Sequence, residues 1–166
     1  MSLIRPHHTF IGVDPGKSGG IAILRSYKPT VEKYHMPATE ADLLDTLDVI
    51  TSVEDALVDE TVMAVVELIS PSIYGTSKSS NAKLYGNYMS IRMALTALRI
   101  PFTAVTAQKW HKSLGIPPRK KTETQTQWKN RLKAKAQQLF PQETVTLATA
   151  DALLIACYCK KVGIHS

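Results

Sequence analysis

Cysteine is scarce: the 166 residues include two, Cys157 and Cys159. Set one residue apart on a helical stretch, they point in different directions. That excludes a mutual disulfide or a zinc site and leaves two core thiols of a reducing compartment. Long apolar runs are missing as well. None approaches the roughly 18 residues of a membrane span, so no membrane partner is expected. The short polar start MSLIRPHH lacks the apolar core of a secretory signal. A cytoplasmic chain is therefore expected, with residues 1–8 as a flexible N-terminus. The phosphate-loop pattern G-x-x-x-x-G-K-[ST] is also absent.

Acids are outnumbered. Lys and Arg total 20 against 14 Asp and Glu, a net charge of +6, which favours an anionic partner. Hydrophobic residues make up 44% and charged residues 20%, as in ordinary folded proteins rather than disordered ones. The length suits one α/β domain spanning residues 1–166.

The most informative stretch is TFIGVDPGKSGGIAIL, from Thr9 to Leu24. An apolar run ends in Asp14, Pro15-Gly16 breaks it, and Gly19-Gly20 lead into a second run, which is the pattern of a β-hairpin. Carboxylates are rarely buried unless paired or holding a metal, and Asp14 stands where a core strand meets a tight turn. Asp-Pro-Gly is also a common turn tripeptide whose Asp caps its own turn. Glycines here let another backbone or a phosphate come close.

Val31 to Met36 reads as a third strand, and Thr39 to Asp42 opens a helix with acids in its first turn. Leu43, Leu44, Leu47 and Ile50 recur at helical spacing. The polar piece from Thr51 to Glu60 continues or ends that helix. Val62 to Val66 is a buried strand that ends, like the first, in a carboxylate, Glu67. If the two strands are neighbours, both acids converge. SPSIYGTSKSS (Ser70 to Ser80) reads as an exposed loop carrying Tyr74 and Lys78. A helix follows over Asn81 to Leu98, with Leu84, Tyr88, Ile91, Leu95 and Leu98 as its apolar stripe, and then a strand over Phe102 to Val105.

Between Lys109 and Lys135 nine basic residues face one acid, Glu123, leaving 11 basic and 13 acidic residues elsewhere. Pro117-Pro118 divides this arm. Beyond it Trp128, Leu132, Ala136 and Leu139 form a helical stripe with many of the basic groups on solvated faces. A basic run is usually a solvated helix face. Here the asymmetry, with Trp110 and His111 interleaved, favours a phosphate-binding surface. Lys109, Lys112, Arg119, Lys120, Lys121, Lys129 and Arg131 are its candidate phosphate contacts, joined by Lys78 and by Tyr74, whose ring could stack on an unpaired base. His7, His8, His35 and His165 read as surface residues, and His111 as a phosphate contact.

The last element, Thr149 to Lys161, is a helix with Leu153, Leu154, Cys157 and Tyr158 on its buried face. Asp151 falls in its first turn, where the helix dipole favours an acid. Alternatively it is a third carboxylate brought against the sheet. Asp14, Glu67 and Asp151 together are hard oxygen ligands suited to Mg²⁺. Two such ions about 4 Å apart activate water and stabilise the leaving oxygen in phosphodiester cleavage.

The order IGVDPG-x-SGG-IA, then VVE at a strand end, then ADALLIA on the last helix resembles RuvC-type Holliday junction resolvases of the ribonuclease H-like superfamily. TAQKWHKSLGI and the helix leading to LFP are similar to the bacterial, phage and plant-chloroplast branches, so a bacterial, phage or mature organellar enzyme is implied. The resemblance runs from about Phe10 to Tyr158. It implies a five-stranded mixed sheet flanked by helices, and a homodimer that makes paired symmetric nicks across four-way junction DNA with Mg²⁺ or Mn²⁺. Asp14, Glu67 and Asp151 match its catalytic, metal-holding acids. One position departs: many relatives carry an acid or a histidine one helical turn before the last acid, where this chain has Ala148. Either three acids suffice, aided by a lysine such as Lys109 or Lys112, or cleavage is weakened. A junction-binding protein with little nuclease activity is thus the alternative. A sugar-kinase or actin-type phosphotransferase shares the hairpin but needs a much longer chain.

Overall fold

The computed structural model describes residues 7–52, 60–71 and 78–163. Five strands form one sheet: β1 (His7–Asp14), β2 (Gly20–Arg25), β3 (Val31–His35), β4 (Glu60–Glu67) and β5 (Phe102–Val105). Their spatial order is β3-β2-β1-β4-β5. The hairpin pair β1–β2 and its neighbour β3 are antiparallel, whereas β1–β4 and β4–β5 are parallel. Among the described residues five helices join the sheet: α1 (Glu40–Thr51), α2 (Lys78–Ala97), α3 (Ala107–Ser113), α4 (Gln125–Leu139) and α5 (Leu147–Gly163). This is the mixed α/β sheet expected from the sequence. His7 and His8, expected in a flexible N-terminus, already belong to β1.

Side chains alternate across the strands and build a core on each face. Phe10, Ala22, Leu24 and Val65 pack with Trp110 of α3, Trp128 and Leu132 of α4 and the apolar residues of α5. Ile11, Val13, Ile21, Ile23, Ala64 and Val66 pack on the other face with Leu43 and Leu47 of α1 and Tyr88, Ile91 and Leu95 of α2. Tyr88 is therefore a core residue. Two members of the expected stripes are exposed, Leu44 at 39% and Leu139 at 43%. Leu44 follows the buried Leu43 and so points about 100° away from it, and Leu139 is the last residue of its helix.

Helix starts follow side-chain caps. Thr39, Thr106 and Thr124 each accept a backbone N–H from the first turn of α1, α3 and α4, and Thr124 forms a reciprocal capping box with Gln127. Thr146 does the same for the last helix, accepting from the Thr149 N–H at 3.2 Å. That cap starts α5 at Leu147, two residues earlier than the sequence suggests, and puts Asp151 past the first turn. The loop expected over Ser70 to Ser80 is shortened at its far end, because Lys78 already opens α2. Its central part, with Tyr74, lies outside the described residues, as do His165 and most of the Thr51 to Glu60 stretch.

At the end of the sheet where β1 begins, the buried Arg25 guanidinium donates to Glu32 at 2.9 Å, Thr9 at 3.1 Å and the Ile50 carbonyl at 3.2 Å, and pairs with Glu60 at 3.3 Å. It ties the first four strands to α1 away from the carboxylates. Both cysteines are free thiols, and burial pushes them up to about 11 for Cys157 and about 12 for Cys159. Among the described residues no helix is long and apolar enough to cross a membrane.

Candidate metal centre and nucleic-acid interface

Parallel pairing of β1 and β4 sets the site. Val13 lies opposite Val66, so the next residue in each strand, Asp14 and Glu67, is an acid at the same end of adjacent strands. Helix α5 brings the third. It presses directly on β1 at Gly12, where even a Cβ would lie 2.2 Å from the Ala156 nitrogen and 2.3 Å from the Ala152 oxygen. Only glycine allows that approach, and it fixes Asp151, next to Ala152, over the strand end. The turn after Asp14 folds back equally tightly: a Cβ on Gly19 would sit 2.7 Å from the Asp14 carboxyl carbon.

Each carboxylate has one oxygen held by the protein. Asp14 Oδ1 accepts the Gly16 N–H at 3.0 Å, Glu67 Oε2 accepts the Trp110 indole N–H at 3.0 Å, and Asp151 Oδ2 pairs with the Lys129 ammonium. Asp151 Oδ1 is buried with no hydrogen-bond partner. The three acids feel one another. Burial, and then the charges of Asp14 and Asp151, push Glu67 up to about 7, against the Trp110 hydrogen bond and Lys129. Burial and Asp151 likewise raise Asp14. Burial disfavours the charge on Lys129, but Asp151, Asp14 and Glu67 outweigh it and hold the ammonium above the usual lysine value.

This donor set fits a hard divalent cation: converging carboxylates, two of them pushed toward the neutral form by burial and neighbouring charge and the third with an orphaned buried oxygen. Yet among the described residues no three His, Cys, Asp or Glu side chains are already arranged to hold a metal ion; a lysine is drawn among the acids. Ala148, one turn before Asp151 in α5, offers no side-chain oxygen.

The basic arm divides once its partners are visible. Lys109, Lys112, Arg119, Lys120 and Lys121 are exposed, as is Lys78 at the start of α2. Arg119 also donates to the Glu123 carbonyl at 3.0 Å and to Gln125 at 2.8 Å. Lys129 is turned inward to Asp151. Arg131 grips Glu123 at 2.9 Å and the carbonyls of Pro117 and Pro118 at 3.0 and 3.2 Å, with its guanidinium 4.5 Å above Trp128. It braces the Pro-Pro turn. Trp110 is buried rather than interleaved in a phosphate surface. His111 lies 3.8 Å from the Trp110 ring with its Nε2 buried and unpartnered, and burial lowers its proton affinity.

Two clefts flank this end of the sheet. One, of about 630 Å³, is bordered by Lys17, Ser80, Lys83 and Asn87, and Asn87 ties it to the Asp14 turn by donating to the Pro15 carbonyl at 2.6 Å. The other, of about 710 Å³, is bordered by His111, Lys112, Arg119 and Trp128. Sequence reading missed Lys17, Lys83 and the inward roles of Trp110 and Lys129. For Lys17 a signal existed, its place within the DPGKSGG turn. Isolated positions on helices gave none for the others.

No family model matches the sequence, and no curated protein is a match. The structure, by contrast, is similar to solved ones. A Thermus thermophilus RuvC structure shares 13% identity, with 93% of this chain and 96% of that one covered, at a TM-score of 0.56. T. thermophilus RuvC in complex with Holliday junction substrate shares 14%, covering 96% and 97%, at a TM-score of 0.57. The chain thus shares the mixed α/β fold of these RuvC structures along nearly its whole length.

Proposed function

We propose that the chain is a Mg²⁺-dependent endodeoxyribonuclease, able to use Mn²⁺, that resolves four-way DNA junctions as a homodimer by paired symmetric nicks. The observation that carries this reading is the meeting of Asp14, Glu67 and Asp151 at one end of a RuvC-like sheet, next to exposed basic residues. Asp14, Glu67 and Asp151 would hold the metal. The bound cation would supply activation of a water and charge stabilisation at the scissile phosphate. Gly16 and Trp110 orient two of the carboxylates through hydrogen bonds.

Lys112, Arg119, Lys120 and Lys121, with Lys109 beside them, contact phosphates on one flank, while Lys17, Lys78 and Lys83 serve the other. Such contacts position a duplex without reading its sequence. Selectivity for a branched substrate then arises from two flanks engaging separate arms. The solved neighbour bound to Holliday junction DNA supports that substrate class.

A second reading has its own support. Ala148 and the Lys129–Asp151 ion pair suit a junction-binding protein of the same fold that cleaves weakly or not at all. A labelled immobile junction and a linear duplex of the same sequence separate the two readings, with gel shifts in Ca²⁺ and nicking in Mg²⁺. Paired nicks on the junction alone establish the resolvase. Tight junction binding without nicks, with nicking restored by Ala148→Asp, establishes the binding protein. Equal affinity for both DNAs removes both.

A further inference from the structure

Resting on the nucleic-acid reading above, we propose that the cleft bordered by α3 and α4 is a nucleotide subsite. It takes one unstacked nucleotide of the bound DNA, with the base inside and the phosphate on Lys112 and Arg119. The lining is the first argument. Ala107, Ile116, Pro117, Pro118 and Trp128 wall a space of about 710 Å³, within the roughly 300–1,000 Å³ of small-ligand clefts. Lys112 and Arg119 border it and are exposed, and no acid among the described residues does so. Apolar walls with cations at the border match a nucleotide, which joins a flat ring to an anionic phosphate. A stacked duplex offers phosphates to the cations and nothing to the walls. Branched DNA has bases at the crossover that unstack at low cost, and each has a ring face to bury whatever its sequence.

The cleft is also formed in advance. Arg131 braces its walls together, donating to the Pro117 and Pro118 carbonyls at 3.0 and 3.2 Å while its guanidinium lies 4.5 Å from the Trp128 ring. Gly115, at a φ of 66°, turns the chain out of α3, and the Ile116 N–H closes that turn on the His111 carbonyl at 2.9 Å. Walls fixed beforehand spare the cost of ordering them when a ligand arrives.

Its position is the third argument. The His111 ring, which borders the cleft, meets Trp128 edge-on at 5.1 Å and Trp110 at 3.8 Å. Trp110 in turn donates to Glu67 at 3.0 Å. Two ring contacts and one hydrogen bond therefore lead from the cleft to the acids, so a base seated here belongs to a nucleotide close to the phosphate that the acids face. His111 Nε2 is buried without a hydrogen-bond partner, a polar atom the fold leaves unused.

The test is a nuclear magnetic resonance titration of the ¹⁵N-labelled, metal-free chain with deoxyadenosine monophosphate, and separately with deoxyribose phosphate, which lacks the base. The nucleotide should shift the Trp128 indole N–H and the amides of Lys112, Gly115 and Ile116, and should bind about tenfold more tightly than the sugar phosphate. Equal affinity for the two, or shifts that spare Trp128, would reduce the cleft to an anion-binding border and overturn the inference. Gln108 is exposed and borders the same space, so Gln108→Trp should obstruct it. That variant should weaken four-way junction binding in Ca²⁺ about tenfold more than binding to linear duplex; equal losses on the two DNAs would overturn the assignment to a nucleotide of the bound DNA. A chain that takes the nucleotide as expected yet grips junction and duplex equally would lose the junction reading and keep the cleft. The titration of the unsubstituted chain decides the matter even if Gln108→Trp does not fold.

Discussion

Trp110 Nε1 donates to Glu67 Oε2 across 3.0 Å, so a tryptophan buried in the core of α3 is fastened to the carboxylate at the tip of β4. The bond links packing to chemistry. It holds one carboxylate oxygen in place and works against the rise in Glu67's proton affinity that burial and Asp14 impose. Trp110→Phe keeps most of the ring packing and removes the donor. Such a loss is worth about 1–3 kcal/mol of stability. Glu67 should then hold its proton to higher pH, so the pH midpoint for Mn²⁺ binding should rise. Thermal denaturation and Mn²⁺ titration across a pH series check the two effects separately; a lower melting temperature with an unmoved midpoint would make the bond purely structural.

The same carboxylate sets a pH dependence of folding. In the metal-free folded chain Glu67 keeps its proton up to about pH 7, against an ordinary value of 4.5. Between those values the folded state binds more protons than the unfolded one, so stability falls as pH rises through that window. Asp14, raised in the same direction by burial and Asp151, adds to the trend. Melting temperatures in EDTA should therefore fall for this reason between pH 4.5 and 7, and Glu67→Gln should flatten that slope. An unchanged slope in Glu67→Gln would assign the dependence to other groups.

Gly12→Ala inserts a methyl where the backbone of α5 already lies, 2.2 Å from the Ala156 nitrogen. Overpacking of this kind commonly costs about 1–3 kcal/mol. Because the helix must retreat from β1, Asp151 should move with it, and Mn²⁺ affinity should drop as well as the melting temperature. Near-native affinity in a destabilised but folded variant would show that the helix can shift without moving its acid.

The basic residues should fall into two groups by their salt response. Lys120→Ala or Lys121→Ala should weaken binding to any DNA and reduce the salt slope by about 1 for each phosphate that is no longer neutralised. Arg131→Ala should act first on folding, since its partners are Glu123, two proline carbonyls and Trp128. Binding measured against salt, beside melting curves, separates them. A salt slope that falls for Arg131→Ala without loss of stability would return it to the DNA surface.

Much of this was legible in the sequence because it depends on local pattern. Two apolar runs and the Pro-Gly turn set out the hairpin, and the two strands ending in Asp14 and Glu67 needed only to be neighbours, which the β1–β4 pairing makes them. The partners of each oxygen were not legible. Lys129 is 22 residues from Asp151 and Trp110 is 43 from Glu67, and both read as members of a solvated basic arm because helical periodicity does not say which face meets which neighbour. The start of α5 was misplaced for a smaller reason: the hydrogen bond from the Thr149 N–H to the Thr146 hydroxyl, which caps the helix, exists only in three dimensions.

Cleavage set against binding for the three acids tests the central claim most directly. Asp14→Asn, Glu67→Gln and Asp151→Asn would each be assayed on a labelled four-way junction, for nicking in Mg²⁺ and for affinity in Ca²⁺. The expected result is paired nicking by the unsubstituted chain, a loss of at least about a hundredfold in each variant, and junction affinity within a few-fold of the unsubstituted chain. Nicking that survives in all three variants would place the reacting site elsewhere and contradict the role given to this cluster.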